Sequence, residues 1–119
     1  MLGVMSSMLV HLCGAAEWAE ARARGGFEPT PDCAFIHLST PQQVHLPANR
    51  IFAGRTDLVL LSVDPARLHA PVRWEPGVPG DPVAMVFPHL YGPLPVSAVT
   101  GTASYQAGPD GMFAPLPAN

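Results

Sequence analysis

Fifteen prolines in 119 residues constrain this chain more than any other feature. Each fixes φ near about −65° and removes a backbone donor, so a bundle of long helices is excluded. Short elements separated by turns remain, and eleven glycines supply further breaks. Hydrophobic residues make up 48% against 13% charged, which rules out a disordered polar tail and supports one packed core. A chain of this size buries roughly two-thirds of its unfolded surface, enough to be stable without a metal or disulfide.

Charge narrows the partners. Six Arg, no Lys and nine acids leave a net charge of −3. A duplex-binding protein carries a basic patch, so nucleic acid is not expected as a main partner. No run reaches the ~18 apolar residues that a membrane span needs. Val10-His11-Leu12-Cys13 sits where a lipoprotein cleavage site would, yet no Arg or Lys precedes it. The chain reads as a soluble cytoplasmic domain, with Cys13 and Cys33 as reduced, packed thiols.

Residues 8–105 read as one domain, 1–7 as an extra N-terminal segment with Met8 as an alternative start, and 106–119 as a tail. Alternation in Leu9–Cys13 predicts a strand with Leu9, His11 and Cys13 on one face and Val10 and Leu12 on the other. Ala15–Arg24 predicts a helix with Ala15, Trp18, Ala19 and Arg22 along one side, closed by Gly25-Gly26. Phe35–Leu38 is a second strand. Thr40-Pro41-Gln42-Gln43 then has the form of a capping box opening a helix to Gly54, with Val44, Ala48, Ile51 and Phe52 buried. Pro47 inside that helix should kink or restart it.

Leu58–Val63 is a continuous apolar run, expected as a central strand covered on both faces. Asp64–Arg67 is a turn and Val72–Glu75 a strand, followed by a loop over Pro76–Pro82. Val83–Phe87 and Val96–Thr100 are expected strands on either side of Pro88–Pro93, with one hairpin edge near Ser104. This order predicts an α+β fold, two N-terminal helices packed on a small, largely antiparallel sheet.

Three of the five histidines stand apart. His11, His37 and His89 each sit in or at the end of a strand among apolar residues, whereas His45 and His69 have polar neighbours. With Val10/Leu12 and Ile36/Leu38 in the core, His11 and His37 would meet in a cleft on the other side of the sheet. The plainer alternative is that each imidazole is satisfied by a carbonyl. Ser39 and Thr40, between a strand and a helix N-terminus, suggest a phosphate or diphosphate site, although Thr40 also serves simply as a cap. Neither a dinucleotide-fold nor a P-loop glycine pattern is present. Glu75, beside Trp74, is a solvent-facing charge or a site acid, and Tyr91 falls on the same side as His89. Three strand histidines are also compatible with an open zinc site, but no ligand spacing supports it and no metal is expected. Ser39 lacks a nucleophile elbow, which disfavours a serine hydrolase.

Several segments together resemble one family. They are Val10–Cys13 with Ala16-Glu17-Trp18, Phe35–Thr40, Ala48–Phe52, Asp57–Leu61, Val72–Glu75 and Phe87–Leu94. In this order, over about residues 8 to 100, they look like the small bacterial domain of unknown function 952 family. The resemblance implies an ADP-ribosyltransferase-like fold, with NAD as a possible co-substrate. It would make His11 the ribose-holding histidine, place His37, Ser39 and Thr40 on the next site strand, and put His89 or Glu75 third. Related branches with His in place of Glu act on phosphorylated RNA ends, so the substrate stays open. Pro47 and His45 depart from the common pattern in the second helix. Two functions follow as expectations. One is an NAD-cleaving transferase or hydrolase; the other is a non-catalytic module binding a small phosphorylated or nucleotide ligand or a protein.

Overall fold

The computed structural model describes residues 8–77 and 85–116. Its centre is the apolar run of the sequence, β4 (Leu58–Val63), which pairs antiparallel with β1 (Leu9–Gly14) on one side and β8 (Val99–Ser104) on the other. Both faces of β4 are packed. Leu58 and Leu60 join Val10, Val44, Ala48, Tyr105 and Phe113 in one core, while Val63 joins Leu9, Ile36, Leu38, Leu90 and Leu94 in the other. Full burial of each such aliphatic contributes about 1.5–3 kcal/mol.

A second three-stranded sheet has the order β3 (Ile36–His37), β6 (Val86–Leu90), β5 (Val72–Pro76). The segment from Pro88 was expected to leave the strand; instead β6 runs through Pro88 to Leu90 and is central. A central proline is unusual because it cannot donate to the ladder. Here its carbonyl accepts from Leu38 N–H at 3.0 Å, so its nitrogen faces the β3 side, beyond the end of a strand only two residues long. The expected strand from Val83 begins at Val86, and 83–84, like 78–82 of the expected loop, lie outside the described residues. The two sheets meet at an isolated bridge, where Val10 N–H donates to Ser39 O at 2.8 Å and Ser39 N–H to Val10 O at 2.9 Å.

Helix α1 (Ala15–Arg24) has the expected bounds and ends on Gly25, left-handed at φ 98°, whose N–H donates to Ala21 O. Its packed stripe differs from expectation: Ala21 is buried and Trp18 half-buried, whereas Ala15, Ala19 and Arg22 face solvent. A strand the sequence did not signal, β2 (Gly26–Phe27), follows and pairs with β7 (Leu94–Pro95). Val96–Ala98 is a 3-10 turn rather than strand, so β8 starts at Val99 and runs to Ser104.

Helix α2 spans only His45–Ile51. Residues 41–44 are turn, and Pro47 falls in the helix's first turn, where a missing N–H leaves no intrahelical bond unmade. The proline therefore delays the helix, and Ile51, expected inside, is 59% exposed. Part of the segment after 105, expected as a tail, packs instead, through Ala107, Phe113 and Leu116. Phe113 is buried and stacks on Tyr105, and Asn49 of α2 clamps its backbone, accepting from its N–H at 2.8 Å and donating to its carbonyl at 2.9 Å.

Candidate functional site

Strand alternation brings the polar residues of the second sheet to one face. His37 lies opposite His89, His89 opposite Arg73, and Phe87 opposite Glu75. Tyr91 and Phe35, two residues along from His89 and His37, continue that face. The opposite face carries Ile36, Leu38, Leu90 and Val72 into the core.

Between β1, β3, β6 and α2 lies a cavity of about 330 Å³. His11, His37 and His89 all line it. Its walls are otherwise largely apolar, with Phe27 and Phe87 among them. The sequence reading placed Val10 and Leu12 in the core and His11 on the other side of the sheet, but both sides of that strand are core. β1 is packed on both sides, with Leu9 in one core and Val10 in the other, and His11 reaches the cavity from within the packing.

Each of two histidines has one nitrogen fixed. His11 Nδ1 lies 2.8 Å from His37 O, and a carbonyl only accepts, so Nδ1 carries the proton and the neutral ring keeps a lone pair on Nε2. Phe27 packs edge-on against this ring at 4.8 Å. Burial holds the His11 imidazole below its ordinary value of 6.5, against an upward pull from the carbonyl of His37 and from Glu17. His37, more open, is lowered first by burial and then by the neighbouring His89.

His89 is 2% exposed, stacked on Phe35 at 4.0 Å and set edge-on to His37 at 5.3 Å. Its Nδ1 is 2.9 Å from Glu75 Oε1, the same oxygen that accepts the Tyr91 O–H at 2.6 Å. These two bonds, Tyr91 first and His89 second, hold the Glu75 carboxyl below its ordinary range. A carboxylate accepts, so His89 Nδ1 is the protonated nitrogen. Glu75 and Tyr91 are not on the cavity wall; they stand behind His89, with the Arg73 guanidinium 4.8 Å over the Tyr91 ring. With Nδ1 turned to Glu75, the ring nitrogen left over is Nε2, which is buried and has no partner among the described residues.

The Thr40 anion site does not form. α2 begins at His45, the Thr40 N–H donates to Gln43 Oε1 at 3.2 Å, and the Ser39 N–H is taken by Val10. Ser39 still lines the cavity; Thr40 does not. Cationic character comes instead from Arg50, on the α2 wall, which sequence reading overlooked. Phe35 and Phe87 were overlooked too, although each lies two residues before a site histidine and so on its face. His45 and His69 are off the wall. Cys13 lines the cavity as a thiol, pushed up to about 12 by burial and then Glu17, so it offers no thiolate. Cys33 Sγ donates to Phe35 O at 3.2 Å and helps seat the ring that stacks on His89. Among the described residues no three His, Cys, Asp or Glu side chains converge as metal ligands, and no helix is long and apolar enough to cross a membrane.

The family of proteins of unknown function designated DUF952 matches residues 12–102. The chain belongs to this family. The X-ray crystal structure of protein CC0527 from Caulobacter crescentus, a Northeast Structural Genomics Consortium target, is 37% identical. It superposes with a TM-score of 0.75 over 91% of this chain and 94% of that one. The solution NMR structure of CC0527 gives 37% identity and a TM-score of 0.73, over 89% and 90% of the two chains. No curated protein matches. DUF952 membership and the small α+β fold are thereby established; a kinship with ADP-ribosyltransferases is not among what these matches establish.

Proposed function

We propose that this DUF952 domain binds a ribosyl nucleotide through its histidine cavity, with NAD as the candidate co-substrate, and that it cleaves the bond between ribose and nicotinamide. One observation carries the reading: three imidazoles converge on one cavity, two of them with one nitrogen already fixed by the protein. The lone pair of His11 Nε2 is then available to accept from a ribose hydroxyl. Phe27 and Phe87 offer apolar surface to a flat ring, and the Arg50 guanidinium offers positive charge to a phosphate. A cavity of about 330 Å³ is near the lower end of ligand sites, roughly 300–1,000 Å³, so it suits the nicotinamide-ribose half rather than the whole dinucleotide. Cleavage passes through an oxocarbenium-like state. Holding ribose and ring in place is the main demand on such a site.

Calorimetric titration of NAD against wild type and His37→Ala tests this. Micromolar binding in the wild type, weakened about tenfold or more in the variant by loss of a hydrogen-bonding group on the cavity wall, is the expected result. No heat at millimolar NAD refutes it. A binding module without turnover is the second reading, favoured by Ile51, which lines the cavity yet is 59% exposed and gives a partner an apolar edge. NAD binding with no release of free nicotinamide would select that reading.

A further inference from the structure

We infer that His89 is the proton-accepting residue of the cavity, working on a hydroxyl nucleophile (water or an alcohol), and that Glu75, held by Tyr91, is its positioning residue. The assignment of the reaction rests on the nucleotide reading above; the assignment of the base rests on the hydrogen bonds alone.

Three observations meet at this residue. His89 is almost wholly buried, its Nε2 has no partner among the described residues, and the residue lines the cavity. A buried nitrogen left without a partner is costly, and of the two such ring nitrogens among the described residues, His45 Nδ1 and His89 Nε2, only that of His89 belongs to a residue lining the cavity. Behind the ring, Tyr91 O–H and His89 Nδ1–H both donate to Glu75 Oε1, at 2.6 and 2.9 Å. This relay fixes the tautomer with its lone pair on Nε2, places a carboxylate against the imidazolium that forms when Nε2 takes a proton, and ends in a cation–ring contact from Arg73. Phe35, stacked on the opposite side, fixes the ring plane.

The surrounding charges favour this direction of transfer. Glu75 and Arg73 face His89 from β5, Tyr91 lies on its own strand and His37 opposes it from β3. His11, Glu17 and Arg50 line the same cavity. Among the described lining residues Glu17 is the only carboxylate, and its Oε1 already accepts Gly14 N–H at 2.7 Å. Glu75, a natural first choice as the acid-base group, is shielded from a substrate by the histidine it holds. A guanidinium or ammonium acceptor would therefore meet little negative charge, whereas a neutral hydroxyl needs only a base.

The step balances as follows. The oxygen of the nucleophile forms a bond to C1′ of the ribose as the bond from C1′ to the nicotinamide nitrogen breaks. That electron pair neutralises the pyridinium and frees nicotinamide. The hydroxyl proton passes to His89 Nε2.

Nitrogen-15 correlation spectra of the full chain read the tautomer directly, without any ligand. In wild type the neutral His89 ring should carry its proton on Nδ1. Glu75→Gln keeps an oxygen for both donors and should preserve this tautomer while removing the negative charge; Glu75→Ala should allow the Nε2–H form. With NAD bound, nicotinamide release should fall about 10²–10⁴-fold in His89→Gln and about tenfold or more in Glu75→Gln, with NAD affinity retained. A wild-type ring protonated on Nε2 overturns the inference, as does undiminished release from His89→Gln that still binds NAD. Absence of any NAD heat removes the nucleotide reading instead, and the tautomer then decides the base by itself.

Discussion

Replacing Phe113 by Ala tests whether the C-terminal segment belongs to the folded domain. Phe113 is 2% exposed, stacks on Tyr105 at 5.1 Å and has both backbone groups clamped by Asn49. Truncating a phenylalanine buried to this degree costs about 3–5 kcal/mol in transfer and cavity terms. Against a typical domain stability of about 5–15 kcal/mol this is a large fraction. An unfolding entropy of about 2.1 cal/mol/K per residue gives about 0.25 kcal/mol/K for the 119-residue chain, so Tm should fall by about 12–20 °C. Urea melts followed by circular dichroism at fixed pH, with an unchanged m-value, would give the same loss in free energy. Met112→Ala is the control: Met112, the neighbour of Phe113, is 52% exposed and the change should stay within about 0.5 kcal/mol. A Phe113→Ala loss below about 1 kcal/mol would refute the docking of this segment. Asn49→Ala should cost about 1–3 kcal/mol by stripping partners from two backbone groups, and because α2 also walls the cavity, NAD binding should weaken with it.

Other outcomes follow from the same geometry. His11 and His37 are both lowered by burial, so the unfolded chain binds their protons more readily; stability is full above about pH 6.5 and falls on acidification, and a Tm unchanged between pH 7.5 and 5, or an equally steep fall in His11→Gln, would contradict this. Gly26→Ala should destabilise by about 1–3 kcal/mol, because a Cβ there would press on the Leu94 carbonyl oxygen with Pro95 Cα at 3.0 Å; an unchanged Tm would mean that β2 and β7 do not pair this closely. Cys13, buried and pushed up to about 12, should resist iodoacetamide at pH 8 in the folded protein and react in urea, as peptide mass spectrometry would show.

Local rules carried much of the fold. The apolar run at Leu58–Val63 could only be a strand covered on both faces, and α1 was bounded by its glycines because a left-handed residue is needed where its last carbonyls are capped. The site histidines were legible for a similar reason. A period of two puts His11 and His37 on the faces opposite Val10/Leu12 and Ile36/Leu38, although strand register alone sets His37 opposite His89. Carried further, the same period would have found Phe35 and Phe87.

What failed were readings in which one local signal competed with a distant partner. The capping-box pattern at Thr40 was real, since Gln43 Oε1 does accept from the Thr40 N–H, but its Nε2 donates to Val86 O, 43 residues away, and Pro47 moved the helix start to His45. Pro88 looked like a strand end because nothing nearby shows that its nitrogen can face the short side of β3. Phe113 looked like a tail residue because its partners, Tyr105 and Asn49, are set by the docking of α2. By itself the sequence determined the main strands, the first helix and the hydrophobic centre, which depend on neighbours one to four positions apart. Only the tertiary structure decided that the imidazoles share one cavity and that Glu75 holds His89 Nδ1 from off the cavity wall. Those facts depend on strand register and on the side of the ring that a carboxylate fourteen residues away comes to occupy.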